Sequence, residues 1–164
     1  MRSLGFILAA MFLSLVLPGA VLAGPHVSGM TWRLLGTNAT TGTVDVGCAD
    51  CNAYNGDTPC TTALPILCIL KAGPGFPLAL PANVDNSDIY HLWSGGIVAT
   101  TTPTPAPAKR SGANARCVQE FGPGWRVAEF HDGWGWHFQA FGGVTHPSQL
   151  WVDIDDQPNG VCWE

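Results

Sequence analysis

Charged side chains are scarce in this chain, and basic ones are the scarcest. Asp, Glu, Lys and Arg together make up 12% of its 164 residues, about half the share of an ordinary globular protein. Twelve acidic residues stand against seven Lys and Arg, and binding along a phosphate backbone needs the opposite balance. The sequence therefore predicts no nucleic-acid partner.

Long apolar runs are lacking beyond the N-terminal segment. Residues 4–22 are almost wholly apolar, follow a basic tip at Arg2 and end in small residues at Ala23. This pattern is typical of a cleavable secretory signal. The alternative is a retained membrane anchor, because the run approaches the roughly 20 residues that span a bilayer. The break at Pro18 favours cleavage, so we predict a signal peptide over 1–23, a secreted or periplasmic protein, and no membrane span after cleavage.

Cysteine, by contrast, is plentiful. The chain has six cysteines and none in the signal segment. In an oxidising compartment an even count indicates disulfides, but spacing alone leaves their connectivity open. Cys48, Cys51, Cys60 and Cys68 could instead hold structural zinc, yet the second Cys-x-x-Cys pair of a strong zinc motif is missing. We therefore predict disulfides of unknown pairing for these four.

Glycine and proline punctuate the rest of the chain. Twenty Gly and thirteen Pro favour turns and short strands over long helices. Prolines at alternate positions make 101–109 a stiff, polyproline-like stretch. We interpret it as a surface loop, because the residues beyond it would form a very small core alone. We divide the mature chain into a cysteine-rich N-terminal segment, 24–88, and a C-terminal region, 89–164.

One segment has the periodicity of a helix. Over 111–121 the apolar residues Ala113, Cys117 and Phe121 recur at every fourth position and form one face. Ser111 can cap its start, and Gly-Pro-Gly ends it. The fold class predicted is therefore α+β, with short antiparallel strands and one main helix. The predicted strands are 32–35, 64–70, 89–102 (interrupted by Ser-Gly-Gly), 125–130, 134–141 and 150–154, and residues 41–46 are predicted as a turn leading into a further strand.

The order of motifs in the C-terminal region is distinctive. Trp-Ser-Gly-Gly at 93–96 precedes the helix with Cys117, Gly-Pro-Gly-Trp-Arg follows at 122–126, and Cys162 is the third residue from the end. This order resembles the C-type-lectin-like fold of bacterial proteins, over the C-terminal half only. The resemblance implies a small α+β domain and a disulfide between Cys117 and Cys162. It implies a fold more than a sugar site, because the family's Trp-Asn-Asp calcium triplet is absent and Gln-Pro-Asn, 157–159, stands just before the last cysteine.

An acidic run near the C-terminus is the candidate metal site. Carboxylate and amide oxygens are the hard ligands that calcium prefers. The alternative is a solvated acidic strand end and turn. The candidate calcium ligands are Asp153, Asp155, Asp156 and Asn159.

A second polar group combines histidine with carboxylates. Such side chains close together can bind zinc or act as acid and base. The alternative is a turn at Asp-Gly whose polar tips bond locally. The group consists of Glu129, His131, Asp132 and His137.

Three aromatic residues alternate along the chain. On a strand, Trp134, Trp136 and Phe138 would share one face. Exposed, they would form a stacking platform for a sugar ring or a protein; buried, they would be core, which we favour in so small a domain.

These patterns together favour a secreted, non-catalytic binding module for a glycan or a protein surface, with calcium as its candidate cofactor. One alternative is a metal-assisted extracellular enzyme that uses the histidine–carboxylate group. The sequence has no Gly-x-Ser-x-Gly or His-Glu-x-x-His pattern to support hydrolysis. The other alternative is a structural envelope or interaction protein with no small ligand.

Overall fold

A computed structural model describes residues 26–71, 78–146 and 148–163. The predicted signal peptide, 1–23, lies outside these ranges. Within them the fold is α+β, as predicted, with one α-helix, nine short strands and two 3₁₀ turns. No helix in these ranges has the length and apolar composition that a membrane span requires.

The strands are short, as the many Gly and Pro residues predicted. In chain order they are β1 (Ser28–Gly29), β2 (Thr31–Asn38), β3 (Thr43–Gly47), β4 (Thr58–Pro59), β5 (Leu67–Leu70), β6 (Trp93–Thr100), β7 (Trp125–Val127), β8 (His137–Gly142) and β9 (Leu150–Trp151). The helix α1 (Arg110–Phe121) lies between β6 and β7, and the 3₁₀ turns are η1 (Phe130–Gly133) and η2 (Pro158–Gly160).

Seven strands form one sheet in the order β7-β5-β6-β8-β3-β2-β9, and β1 pairs with β4 in a separate ribbon. Neighbouring strands are antiparallel except β6 and β8, which run parallel. The sheet takes strands from both sides of residue 88, so the two segments drawn from the sequence share one sheet. The predicted interruption at Ser-Gly-Gly is wrong, because β6 runs through these residues as one strand; only its register with β8 shifts, between Trp93 and Ile97.

The helix confirms its predicted position and buried face. Ala113 and Cys117 are buried against the sheet, and the positive φ of Gly122, 100°, ends the helix where its N–H donates to the Val118 carbonyl. A residue without Cβ adopts this conformation at little cost. The predicted cap is wrong: the helix begins one residue before Ser111, and Lys109 takes the cap position without a side-chain bond.

The proline-rich stretch, 101–109, forms backbone hydrogen bonds with residues 60–64. Thr104 pairs with Leu64 in an isolated bridge, and the Ala106 N–H donates to the Cys60 carbonyl at 3.0 Å. The core combines side chains of the sheet with Ala113 and Cys117 of α1. Its largest fully buried side chains are Trp32, Trp151, Phe138, Met30, Ile66, Leu67, Ile69 and Leu150.

All six cysteines form disulfides, as their even number predicted. The bonds are Cys48–Cys51, Cys60–Cys162 and Cys68–Cys117. The pairing of Cys117 with Cys162 that the resemblance implied is therefore wrong. Helix α1 packs on β7, and β7 pairs with β5 at Cys68, so Cys117 comes within bonding distance of Cys68. The C-terminal segment instead returns to the β1–β4 ribbon, where the Met30 N–H donates to the Gly160 carbonyl at 2.7 Å.

Candidate functional site

The turn η1 and its caps position four of the predicted site residues: Glu129, His131, Asp132 and Trp134. The Glu129 carboxylate accepts from the His131 N–H at 2.7 Å, and Asp132 accepts from the Glu129 N–H at 2.8 Å, so a reciprocal capping box closes the turn. Trp134 ends it in the left-handed region, with φ of 66°. His131 and Trp134 consequently point away from the core, while Asp132 is buried.

Glu129 and His131 form the centre of an acidic cluster. Their side chains meet at 2.8 Å between Glu129 Oε1 and His131 Nδ1. Asp155 and Asp156 each lie 3.7 Å from a ring nitrogen of His131. Glu129, His131 and Asp155 are close enough together to be ligands of one cation.

The environment changes the protonation of both central groups. Partial burial on its own would lower the pKa of His131, but the hydrogen bond to Glu129 and the charges of Glu129, Asp156 and Asp155 outweigh it and raise that pKa. Burial raises the pKa of Glu129, against the opposing effect of its hydrogen bonds with His131. The pair therefore holds a proton to higher pH than a free imidazole does.

The four residues predicted as an enzymatic group are not brought together. Asp132 points inward and pairs with Lys71 at 3.2 Å and with Arg126. This pairing outweighs the effect of burial on Arg126 and raises the pKa of that guanidinium. His137 lies elsewhere, beside Asp45. Only Glu129 and His131 of the four contact each other through their side chains, because η1 turns Asp132 into the core and β8 carries His137 away.

The predicted calcium ligands are also separated. Asp153 is buried, with 2% of its side chain exposed; one oxygen accepts from Arg110 Nε at 2.6 Å and the other from the Trp163 indole at 2.8 Å. Burial raises the pKa of Asp153, against the effects of Trp163 and Arg110. Asp155 and Asp156 are exposed beside His131, and Asn159 is exposed on η2. Asp153 forms a parallel bridge with Glu129. The alternative prediction of a solvated strand end therefore does not hold for Asp153.

The three alternating aromatic residues do not share a strand face. Strand β8 begins at His137, after both tryptophans. Phe138 is buried, as favoured, but Trp134 is 69% and Trp136 38% exposed. The Trp136 ring packs edge-on against Phe130, with ring centroids 5.1 Å apart. It is therefore held in place while part of its surface faces solvent.

Trp136 borders a small pocket that the sequence did not reveal. Tyr54, 58% exposed, is the second aromatic residue at this pocket. The lining residues are Ala53, Tyr54, Phe130, His131, Trp136, Ile154, Asp156 and Gln157.

Tyr54 reaches this position through a local turn. The Asn52 side chain accepts from the Tyr54 and Asn55 N–H groups at 3.1 and 3.0 Å, and the Cys48–Cys51 disulfide precedes it. An Asn before Tyr and Asn-Gly is a turn signal. No local pattern shows, however, that this turn lies beside η1, because the two are far apart in the sequence.

Comparisons of the chain with protein-family models, with curated proteins and with solved structures found no match.

Proposed function

We propose that this chain is an exported binding module that takes a glycan in the pocket between Tyr54 and Trp136, without catalysing a reaction. One observation carries the proposal: two exposed aromatic side chains border a pocket that also presents the polar side chains of His131, Asp156 and Gln157. Sugar rings have an apolar C–H face and a rim of hydroxyls. The pocket offers aromatic surface for the first and hydrogen-bond partners for the second.

Two side chains of the pocket are held in position by their neighbours. Trp136 is braced against Phe130, and His131 is held by the short contact with Glu129. Little side-chain freedom is lost when such groups bind, which favours affinity. The acidic partners also keep His131 protonated to higher pH, so its ring can donate to a sugar hydroxyl.

A glycan suits this pocket better than a folded protein does. Stable protein interfaces bury about 800 Å² on each partner, whereas the pocket is bordered by only eight residues. Small-ligand sites, by contrast, combine a few apolar walls with a few placed polar groups. A protein partner is therefore an outcome of the test below.

Three disulfides agree with an oxidising, extracytoplasmic compartment, which supports the secreted or periplasmic location. The C-type-lectin-like fold stays a prediction. We propose that glycan binding does not require calcium, because both carboxylate oxygens of the predicted ligand Asp153 already bond to Arg110 and Trp163.

A glycan array with the oxidised protein, run with calcium and again with EDTA, tests the proposal. We expect selective binding under both conditions. Removing a stacking aromatic should weaken it roughly tenfold, since such contacts contribute on the order of 1 kcal/mol or more. Trp136→Ala is therefore the test variant, and Tyr90→Ala is the control, because Tyr90 is an exposed aromatic residue that does not line the pocket.

Three outcomes would overturn the proposal. Folded protein that binds no glycan excludes a sugar ligand and moves the search to protein partners. Glycan binding that is lost in EDTA would show that a metal ion is required and would favour a calcium site at Asp155 and Asp156. Equal losses in Trp136→Ala and Tyr90→Ala would show that the pocket is not the site.

A further inference from the structure

A second cluster lies on the outer face of the sheet, away from the core. Asp45 is on β3 and His137 is on β8, and these strands pair in the register Gly47↔His137 and Asp45↔Gln139. Side chains alternate between the faces of a strand. Because Val44, Val46 and Phe138 are buried, Asp45 and His137 share the opposite face.

His91 joins this pair from the segment before β6. The Leu92 N–H donates to the Gly133 carbonyl at 3.0 Å, and the Leu92 carbonyl accepts from the Gln139 N–H at 3.4 Å. These bonds hold the segment across η1 and β8. Its His91 ring stacks on His137, with ring centroids 3.5 Å apart.

The three side chains bring one potential ligand atom each close together. Asp45 Oδ1 lies 3.1 Å from His91 Nε2 and 3.4 Å from His137 Nδ1. A tetrahedral zinc site with bonds of about 2.0–2.1 Å has neighbouring ligand atoms about 3.4 Å apart. The two separations from Asp45 are therefore close to those between ligands of one ion, and all three ligand atoms lie within 4.8 Å of one another.

One of the three atoms lacks a partner. His91 Nε2 is buried and makes no hydrogen bond, because its 3.1 Å approach to Asp45 Oδ1 does not have hydrogen-bond directionality. A buried polar atom without a bond is costly. A cation bound by this nitrogen would satisfy it.

We propose that Asp45, His91 and His137 bind one divalent cation of the zinc type. Two imidazoles and one carboxylate suit zinc and its transition-metal neighbours, whereas calcium and magnesium prefer oxygen ligands alone. An imidazole binds a metal in the plane of its ring, so binding turns one ring out of the stack.

Three protein ligands leave a fourth position for a water molecule or a ligand atom, as in zinc sites that are not purely structural. Asp45 also lines a cavity of about 190 Å³ together with Gln139 and Asn38.

The rest of the described chain offers one rival. All cysteines are in disulfides, so thiolates do not compete. Glu129, His131 and Asp155 form the other group of three within reach of one cation. That group has a single imidazole and accordingly suits zinc less well.

Zinc titration of the oxidised protein by calorimetry, after dialysis against EDTA, tests the proposal. Co²⁺ serves as a second probe, because its visible absorption reports tetrahedral coordination. We expect one Zn²⁺ per chain. His91→Gln and His137→Gln should each weaken binding by at least about 100-fold, whereas Asp155→Asn in the rival group should leave it unchanged.

Asp45→Asn keeps the side-chain shape, so it tests the site if a histidine variant fails to fold. Wild-type protein without zinc binding at millimolar Zn²⁺ would overturn the proposal. So would loss of binding in Asp155→Asn with retention in Asp45→Asn. Glycan binding by the Trp136 pocket is measured separately in EDTA, so failure at one site does not imply failure at the other.

Discussion

Neighbouring carboxylates in this protein have different roles because their surroundings differ. Asp153 is buried between Arg110 and Trp163, whereas Asp155 is exposed beside His131. A buried charge needs a close partner, while an exposed one is solvated by water. From their spacing in the sequence, Asp153 and Asp155 were both predicted to be calcium ligands. Burial makes Asp153 a structural residue, whereas Asp155 stays exposed next to His131.

His131 should make stability depend on pH. Its pKa is raised in the folded protein, so its stabilisation is fully present below the ordinary histidine pKa of about 6.5 and is lost as pH rises through the folded value. The pKa of Glu129 is also raised; stability linked to that group is likewise lost as pH rises through its own folded pKa.

We expect the melting temperature of wild-type protein to exceed that of His131→Gln by more at pH 5.5 than at pH 8.5, with a difference of ~2 °C for a partly exposed pair. Thermal unfolding followed by circular dichroism measures it. The exposed His146 provides the control variant, His146→Gln. Identical pH dependence in wild type and His131→Gln would contradict the role given to the pair.

At the scale of elements, local signals predicted what lies within one helix or strand. The periodicity over 111–121 predicted α1 to within one residue of its observed start. The strand predicted over 134–141 instead begins at His137. The difference arises because the Glu129–Asp132 capping box builds η1 and places Trp134 in the left-handed region.

Strand β8 should depend on the glycine at its end. Gly142 has φ of +105°, and a Cβ there would fall inside contact distance of the Val98 carbonyl. Gly142→Ala should therefore lower the free energy of unfolding by about 2–4 kcal/mol. Urea unfolding measures the loss.

The adjacent Gly143 supplies the matched control, because a Cβ at that position meets nothing within 4 Å. Gly143→Ala should change stability by no more than about 0.5 kcal/mol. Equal effects of the two substitutions would show that the approach of β8 to β6 does not depend on Gly142.

At the scale of the whole molecule, two disulfides connect parts of the chain that are far apart in sequence. Cys68–Cys117 spans 49 positions and joins β5 to α1, and Cys60–Cys162 spans 102 positions. Cys48–Cys51 spans three positions and closes only a local loop. Loop-closure entropy gives the long connections more effect on the unfolded chain.

Removing the Cys68–Cys117 bond should therefore destabilise the protein by about 4 kcal/mol, against about 2 kcal/mol for Cys48–Cys51. The paired variants are Cys68→Ala with Cys117→Ala, and Cys48→Ser with Cys51→Ser. Chemical unfolding compares the two losses, and peptide mapping without reduction checks the connectivity. A Cys117–Cys162 peptide would contradict the structure, and equal losses would contradict the entropic argument.

The sequence by itself determined the α+β class, the helix with its Cys117 face, and the oxidation of its cysteines. These features depend on short-range periodicity, turn residues and an even cysteine count. Only the tertiary structure decided which cysteines pair, which aromatics are exposed, and which polar groups meet. Asp45 and His137 are 92 positions apart, and their contact depends on the order and register of β3 and β8. Local patterns specify which face a side chain takes, but the packing of distant strands decides what that face meets.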